Sequence, residues 1–275
     1  MNNSRHIGEF FKNTRTRFKG NVGYAFLGTL IYLLPFAIIL AGSAWLSQLV
    51  SWLFATVLIL AFALIGIMQI GHIRFIRMLA EGNERPSLKV LFSGFEKKNI
   101  LNYMFVGIIM YLLYLVSTLL LVFPVFIVIA LYSMVFYFIE HHKYDNFMDA
   151  LKTTRKRMYH QKSTMLAYKA VFLAGEVILA VAFALLLMLA LQIKNVVLAV
   201  VVIVLLHIAF YFLFSYVITH LSLCNQNFFA EVLDYTERRA RKVVKPELQE
   251  KKDEVKEEKI EKVSATRKTT KKKDE

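Results

Sequence analysis

The stretch FPVFIVIALYSMVFYFIEHHKYDNFMDALKTTRKRMYHQK, from Phe123 to Lys162, decides how the chain is read. It opens as an apolar run with no charge before Glu140 and closes as a basic segment. From Asp145 onward the apolar residues Phe147, Met148, Leu151 and Met158 fall at i, i+1, i+4 and i+11, while Lys152, Arg155, Lys156 and Arg157 take the other positions. An apolar stripe beside a basic face predicts a helix lying on an anionic membrane surface. The run before it, residues 124–139, is then a membrane span that delivers the chain to that surface.

The same alternation of long apolar runs and basic segments extends in both directions. Hydrophobic residues make up 57% of the 275 positions, and they gather in uncharged blocks where a soluble domain would interleave polar residues. From Tyr24 to Gly71 there are 48 residues without a charged side chain. As one straight helix they would reach roughly 72 Å, against a hydrocarbon core of about 30 Å, so they must cross, turn and return. The spans read as 24–46 and 51–71, with Pro35 placed to kink the first. Residues 103–123 and 124–139 make a second, shorter pair, and 168–191 and 196–221 a third. The expected fold is all-α: a polytopic membrane protein with six transmembrane helices as three hairpins, each preceded by a basic amphipathic helix on the cytosolic side.

The first of those amphipathic helices occupies residues 1–23, where Ile7, Phe10, Phe11, Thr14 and Phe18 form one stripe. The segment from His72 to Asn102 repeats the pattern, with a Gly82 to Pro86 turn and a short apolar-faced helix over Ser87 to Phe95. Beyond the last span, residues 222–244 read as a polar helix. Residues 245–275 hold 11 basic and 9 acidic residues with almost nothing to bury, a charged tail expected to be disordered or a loose solvated helix.

Orientation follows from where the charge falls. Lys and Arg number 5 before the first span, 6 after the second, 7 after the fourth when Lys169 at the start of the fifth is included, and 15 after the sixth, whereas the three opposite turns hold 0, 0 and 1. With 33 of 34 basic residues on one side, the positive-inside rule places both termini in the cytosol. Ala41-Gly42-Ser43-Ala44 resembles a signal-peptidase site, but the apolar run around it is long and has no stop before the second span, so retention is expected. The single Cys224 excludes an internal disulfide.

YAFLGTLIYLL from Tyr24 and YMFVGIIMYLL from Tyr103 coincide at six positions, among them Tyr24 with Tyr103, Phe26 with Phe105, Gly28 with Gly107 and Tyr32 with Tyr111. The fifth span keeps Tyr168, Phe172 and Gly175 at loosely similar spacing. Such self-similarity predicts parallel hairpins about a pseudo-threefold axis along the membrane normal.

KGN at Lys19 to Asn21, RFIRMLAEGNERPSLKVLFSGF at Arg74 to Phe95, and FPVFIVIALYSMVFYFIE followed by MDALKTTRKRM also give the chain a family likeness. In these it resembles a bacterial family of six-span integral membrane proteins of unknown function, catalogued as domain of unknown function 975. The resemblance covers most of Phe10 to Asn227 and departs from the family pattern at Val125, where Gly tends to follow the Pro, and at Glu176, where an aromatic is usual. It implies a multipass protein of the bacterial plasma membrane and no established activity.

Three polar residues inside spans stand out. Glu176 is either a proton or cation carrier or a glutamate near the inner boundary that bonds a neighbouring span. His207 and Gln69 are either parts of a polar path or packed groups bonded to a Ser or Tyr. Counted from the shared outer turn, Glu176 and His207 differ in depth by roughly 6 Å. Among the basic residues, Arg15, Arg17, Arg74, Arg77, Arg155, Lys156 and Arg157 are the candidates for anionic lipid, each contributing on the order of 1 kcal/mol near a charged leaflet. The alternative is that they only set topology. Glu140, His141, His142, Asp145 and His160 have poor spacing for one metal ion, and no catalytic, cofactor or phosphate-loop motif is present in the sequence. The charge of +14 is accounted for by membrane orientation, without a nucleic-acid partner. Lys272-Lys273 match a dilysine retrieval pattern, a cheap match in so lysine-rich a tail.

Two functions are therefore expected in the alternative. The first is a non-catalytic envelope protein binding anionic lipid, a membrane-protein partner or a second copy of itself. The second is a small transporter or lipid-moving protein using Glu176 and His207.

Overall fold

The computed structural model describes residues 7–46, 51–82, 85–96, 100–119, 122–142, 147–159 and 161–271, and every regular element among them is helical. In chain order these are α1 (Ile7–Arg17), α2 (Val22–Leu46), α3 (Ser51–Ala80), a 3₁₀ helix (Leu88–Phe95), α4 (Ile100–Leu119), α5 (Val122–Tyr132), α6 (Val135–His142), α7 (Phe147–Met158), α8 (Lys162–Ala190) and α9 (Val196–Lys271). Five of them, α2, α3, α4, α8 and α9, are long and apolar enough to cross a membrane.

The span expected over 124–139 takes another form. It is split into α5 and α6, of 11 and 8 residues, by a turn at Ser133 and Met134. Neither piece approaches the ~20 residues a straight crossing needs. Every residue from Met134 to Glu140 is buried. An interrupted backbone at membrane depth is tolerated where protein surrounds it, and α6 is surrounded.

Helix α3 packs against α2, the 3₁₀ helix, α4 and α6. It continues past Gly71 to Ala80, so the interfacial segment expected from His72 begins as nine more helical residues. The reason is that Ile76 and Leu79 keep an apolar face, which joins Phe75, Phe18, Ala25, Leu91 and Leu223 in one buried cluster. Glycines set how closely the neighbours approach. A Cβ added to Gly66 would lie 2.7 Å from the Cα of Gly107 in α4. One added to Gly71 would run into the Leu91 carbonyl, and one added to Gly94 into the Ile67 carbonyl. The 3₁₀ helix is thus pressed on α3 backbone to backbone, and Ser87 Oγ caps it by accepting from Lys89 N at 3.4 Å.

The matching residues of α2 and α4 take different partners. Gly28 lies against the Phe75 ring while Gly107 lies against Gly66, and Gly175 in α8 has open space around it. Tyr32 donates to Gln69 Oε1 at 2.6 Å, whereas Tyr111 stacks on Phe62 with centroids 5.6 Å apart.

The short helices turn specific faces inward. In α1, Phe10, Thr14 and Phe18 just beyond it are buried, and Phe10 stacks on Tyr168 of α8 at 5.2 Å. In α7 the buried face is Ala150, Thr154 and Met158, at i, i+4 and i+8. Met148, placed by sequence on the apolar stripe, is 53% exposed, because small residues allow the closer helix contact.

Helices α8 and α9 run antiparallel after the Leu191 to Asn195 connection. Tyr168 donates to Asn225 Oδ1 at 2.7 Å near one end, and Phe183 meets His207 and Phe210 nearer the other. Their outer faces expose Ile178, Leu186, Val197 and Leu205 among many apolar residues. So large an apolar surface is unfavourable in water and cost-free in hydrocarbon.

The chain divides into two units, Met1–Phe229, which holds all the packing described above, and Ala230–Glu275. The backbone of the second is helical through Lys271, which covers residues 245–271 of the charged tail for which disorder was one expectation. Glu and Lys, which dominate it, are good helix formers.

Candidate functional site

The chemistry is concentrated at the end of the first unit where the basic residues gather. Its centre is Glu140, at the end of α6, with a side chain only 3% exposed. Arg74 Nε donates to Glu140 Oε1 at 3.3 Å, and Arg77 Nη1 donates to Oε2. Both arginines come from the extension of α3, three residues apart and therefore on one helix face. Arg74 also reaches Glu96 at 2.9 Å, and Arg77 pairs with Glu81 at 3.6 Å. A carboxylate taken out of water is stable there only if such partners surround it. The arrangement ties α6, α3 and the end of the 3₁₀ helix together.

This sorts the seven basic candidates into two groups. Arg74 and Arg77 are engaged with Glu140. Arg17 donates to Asn227 Oδ1 at 3.3 Å, and Arg157 lies over the Phe138 ring at 5.3 Å. Arg15, Arg155 and Lys156 are exposed and have no acidic partner among the described residues. Arg155 and Lys156 join Lys152 and Tyr159 around an open pocket of about 360 Å³ on α7. Lys162 follows, its ammonium 4.8 Å above the Tyr159 ring. Arg15 stands at a second, larger cavity between α1, α8 and α9.

The intramembrane polar residues do not converge. Gln69 accepts from Tyr32, whose ring stacks on His72 at 4.4 Å, and His72 Nε2 lies 3.1 Å from Thr29 Oγ1. Two hydrogen-bonded pairs, Tyr32 with Gln69 and Thr29 with His72, are thus joined by ring stacking between α2 and α3. His207 is exposed on α9, its Nδ1 2.8 Å from its own helix at Ile203 O. The residue across from it on α8 is Phe183, not Glu176. Glu176 is half-buried two turns further along α8, so the pair that a coupled path would need is not assembled.

Sequence reading missed two features. Glu140 was visible only as an interfacial acid, and nothing local identifies its partners, which lie 66 and 63 positions away. The hydrogen-bonding role of His72 was hidden by its place at the edge of a basic segment. Of the residues weighed for a metal, Glu140 is held by arginines and His141 packs on Phe229 at 5.7 Å. Asp145 and His160 lie outside the described residues. No cluster of three or more His, Cys, Asp and Glu is found among the described residues.

Fold and site together define an all-helical protein with several helices fit to span a membrane and a basic end that is partly self-neutralised and partly free. No family model, curated protein or solved structure matches the chain.

Proposed function

We propose that this is a multipass protein of a bacterial plasma membrane, with both termini in the cytosol, that holds anionic lipid against its cytosolic face without catalysing a reaction. The observation that carries this reading is the α7 pocket. Lys152, Arg155 and Lys156 surround it without acidic partners among the described residues, next to helices that expose apolar surface. Topology alone requires basic residues somewhere on that side; it does not require three of them gathered around one pocket beside an aromatic ring. The resemblance to domain of unknown function 975 is compatible with this reading and supplies the bacterial setting.

Changing Lys152, Arg155 and Lys156 together to Gln tests it. At about 1 kcal/mol for each charge near an anionic leaflet, retention of phosphatidylglycerol should weaken by roughly 100-fold. Native mass spectrometry of the full-length protein, extracted with its lipids, reads this as loss of lipid-bound species. Equal lipid occupancy in the variant and the parent would end the proposal.

A further inference from the structure

We propose that the cavity between α1, α8 and α9 seats one acyl chain of an anionic phospholipid, with the headgroup held at Arg15 and His220. The inference rests on the membrane orientation proposed above but on no residue of the α7 pocket.

The cavity has a volume of about 770 Å³, within the ~300–1,000 Å³ of small-molecule sites. Its walls are apolar: Val171, Phe172 and Gly175 from α8, and Val217 from α9. Along α9 it extends from Tyr216 to Cys224, about 12 Å at helical rise. Part of an acyl chain fits along that length. Val171 and Tyr216 are each about half exposed on the lipid side, so a lipid can enter laterally without leaving the bilayer.

Arg15 and His220 are the basic groups of its lining. Arg15, from α1, brings an exposed cation with no acidic partner among the described residues. His220 brings a ring whose Nε2 is buried and has no hydrogen-bond partner there. Its ring stands edge-on to Tyr216, with centroids 4.5 Å apart, which fixes its direction. A phosphodiester would accept from both groups, satisfying the buried nitrogen and meeting the free guanidinium. The basic end of α1 meets α9 at Asn227, where Arg17 donates to Asn227 Oδ1, so in the proposed orientation the headgroup would lie toward that end and the chain toward Tyr216.

Gly175 supplies the test, because it lines the cavity and a Cβ added there meets nothing within 4 Å. The full-length protein is placed in phosphatidylcholine vesicles containing phosphatidylglycerol with a photoactivatable diazirine in one acyl chain, and adducts are mapped by peptide mass spectrometry. Adducts are expected within residues 171–175 and 216–224. Gly175→Trp should lower them about tenfold, with the thermal stability of the protein unchanged. Arg15→Gln should lower labelling by the phosphatidylglycerol probe but not by the same probe built on phosphatidylcholine. Replacing Lys152, Arg155 and Lys156 should leave these adducts in place even where it abolishes retention at α7. Labelling indifferent to Gly175→Trp would overturn the chain site. Equal labelling by the two headgroups, indifferent to Arg15→Gln, would overturn anionic recognition.

Discussion

Replacing Glu140 by Gln is expected to destabilise the helical unit by about 3 kcal/mol. The carboxylate is 3% exposed and accepts from two guanidinium groups. Glutamine keeps the shape, so no cavity term enters. It removes the charge, however, and turns an amide N–H₂ toward donors. Breaking a buried ion pair by altering one partner costs about 3–5 kcal/mol. Arg74 and Arg77 are 20% and 28% exposed, so water recovers part of their solvation and places the effect at the low end of that range. For a unit of this size, ~3 kcal/mol corresponds to a fall of roughly 6–12 °C in the melting midpoint.

The protein carries its own reporter, because Cys224 is the only cysteine and is buried. Heating the full-length protein in detergent with a thiol-reactive fluorogenic maleimide reads unfolding as labelling of that one site. Glu96→Gln is the matched control, since Glu96 is 65% exposed and its pair with Arg74 should contribute only about 0–1 kcal/mol. Replacing Arg74, Arg77 and Glu140 together by Met should recover most of the loss, because no uncompensated charge then remains buried. Glu140→Gln and Glu96→Gln melting within about 2 °C of each other would refute the assignment of the clamp as a structural tie.

Gly71→Ala and Gly94→Ala should each cost about 1–3 kcal/mol by forcing the 3₁₀ helix away from α3. Gly23→Ala, where an added Cβ meets nothing within 4 Å, should be neutral or slightly stabilising in the same labelling assay. Tyr32→Phe leaves the Gln69 oxygen without its 2.6 Å donor and should lower stability by about 1–3 kcal/mol, read in the same way.

The helical class and the places of the long apolar helices were legible because hydrocarbon imposes a simple code: long uncharged runs, ended by charge. The five longest apolar helices overlap the spans read from sequence. The break at Ser133 and Met134 was not legible, because FPVFIVIALYSMVFYFIE is apolar throughout and carries no breaker between Pro124 and Glu140. Burial of α6 by other helices, a tertiary fact, permits the interruption. The extension of α3 was misread for the opposite reason. Arg74 and Arg77 look like the end of a span, yet the apolar face of Phe75, Ile76 and Leu79 carries the helix on, and Glu140 neutralises the two arginines from a distant part of the chain. The Gly28 and Gly107 match is a likeness of sequence whose partners differ, since each glycine answers to whichever neighbour comes closest.

Counting charges and asking what each charge touches lead to different statements, and one variant separates them. In the proposed six-crossing topology 33 of the 34 basic residues lie on one side, which is a statement about topology. Changing Lys152, Arg155 and Lys156 to Gln would still leave 30 basic residues on that side against one opposite, so orientation should not change. Arg74 and Arg77 would keep Glu140, so the tie between α3 and α6 should survive as well. What the variant removes is the one gathering of cations around a pocket that is unoccupied by the protein's own carboxylates among the described residues. If cysteine-labelling from either side of the membrane shows both termini where they were, and the melting midpoint holds, a loss of bound phosphatidylglycerol can only be charged to the pocket. If lipid retention also holds, the basic residues of α7 serve orientation alone, and the lipid-binding reading fails at its own site.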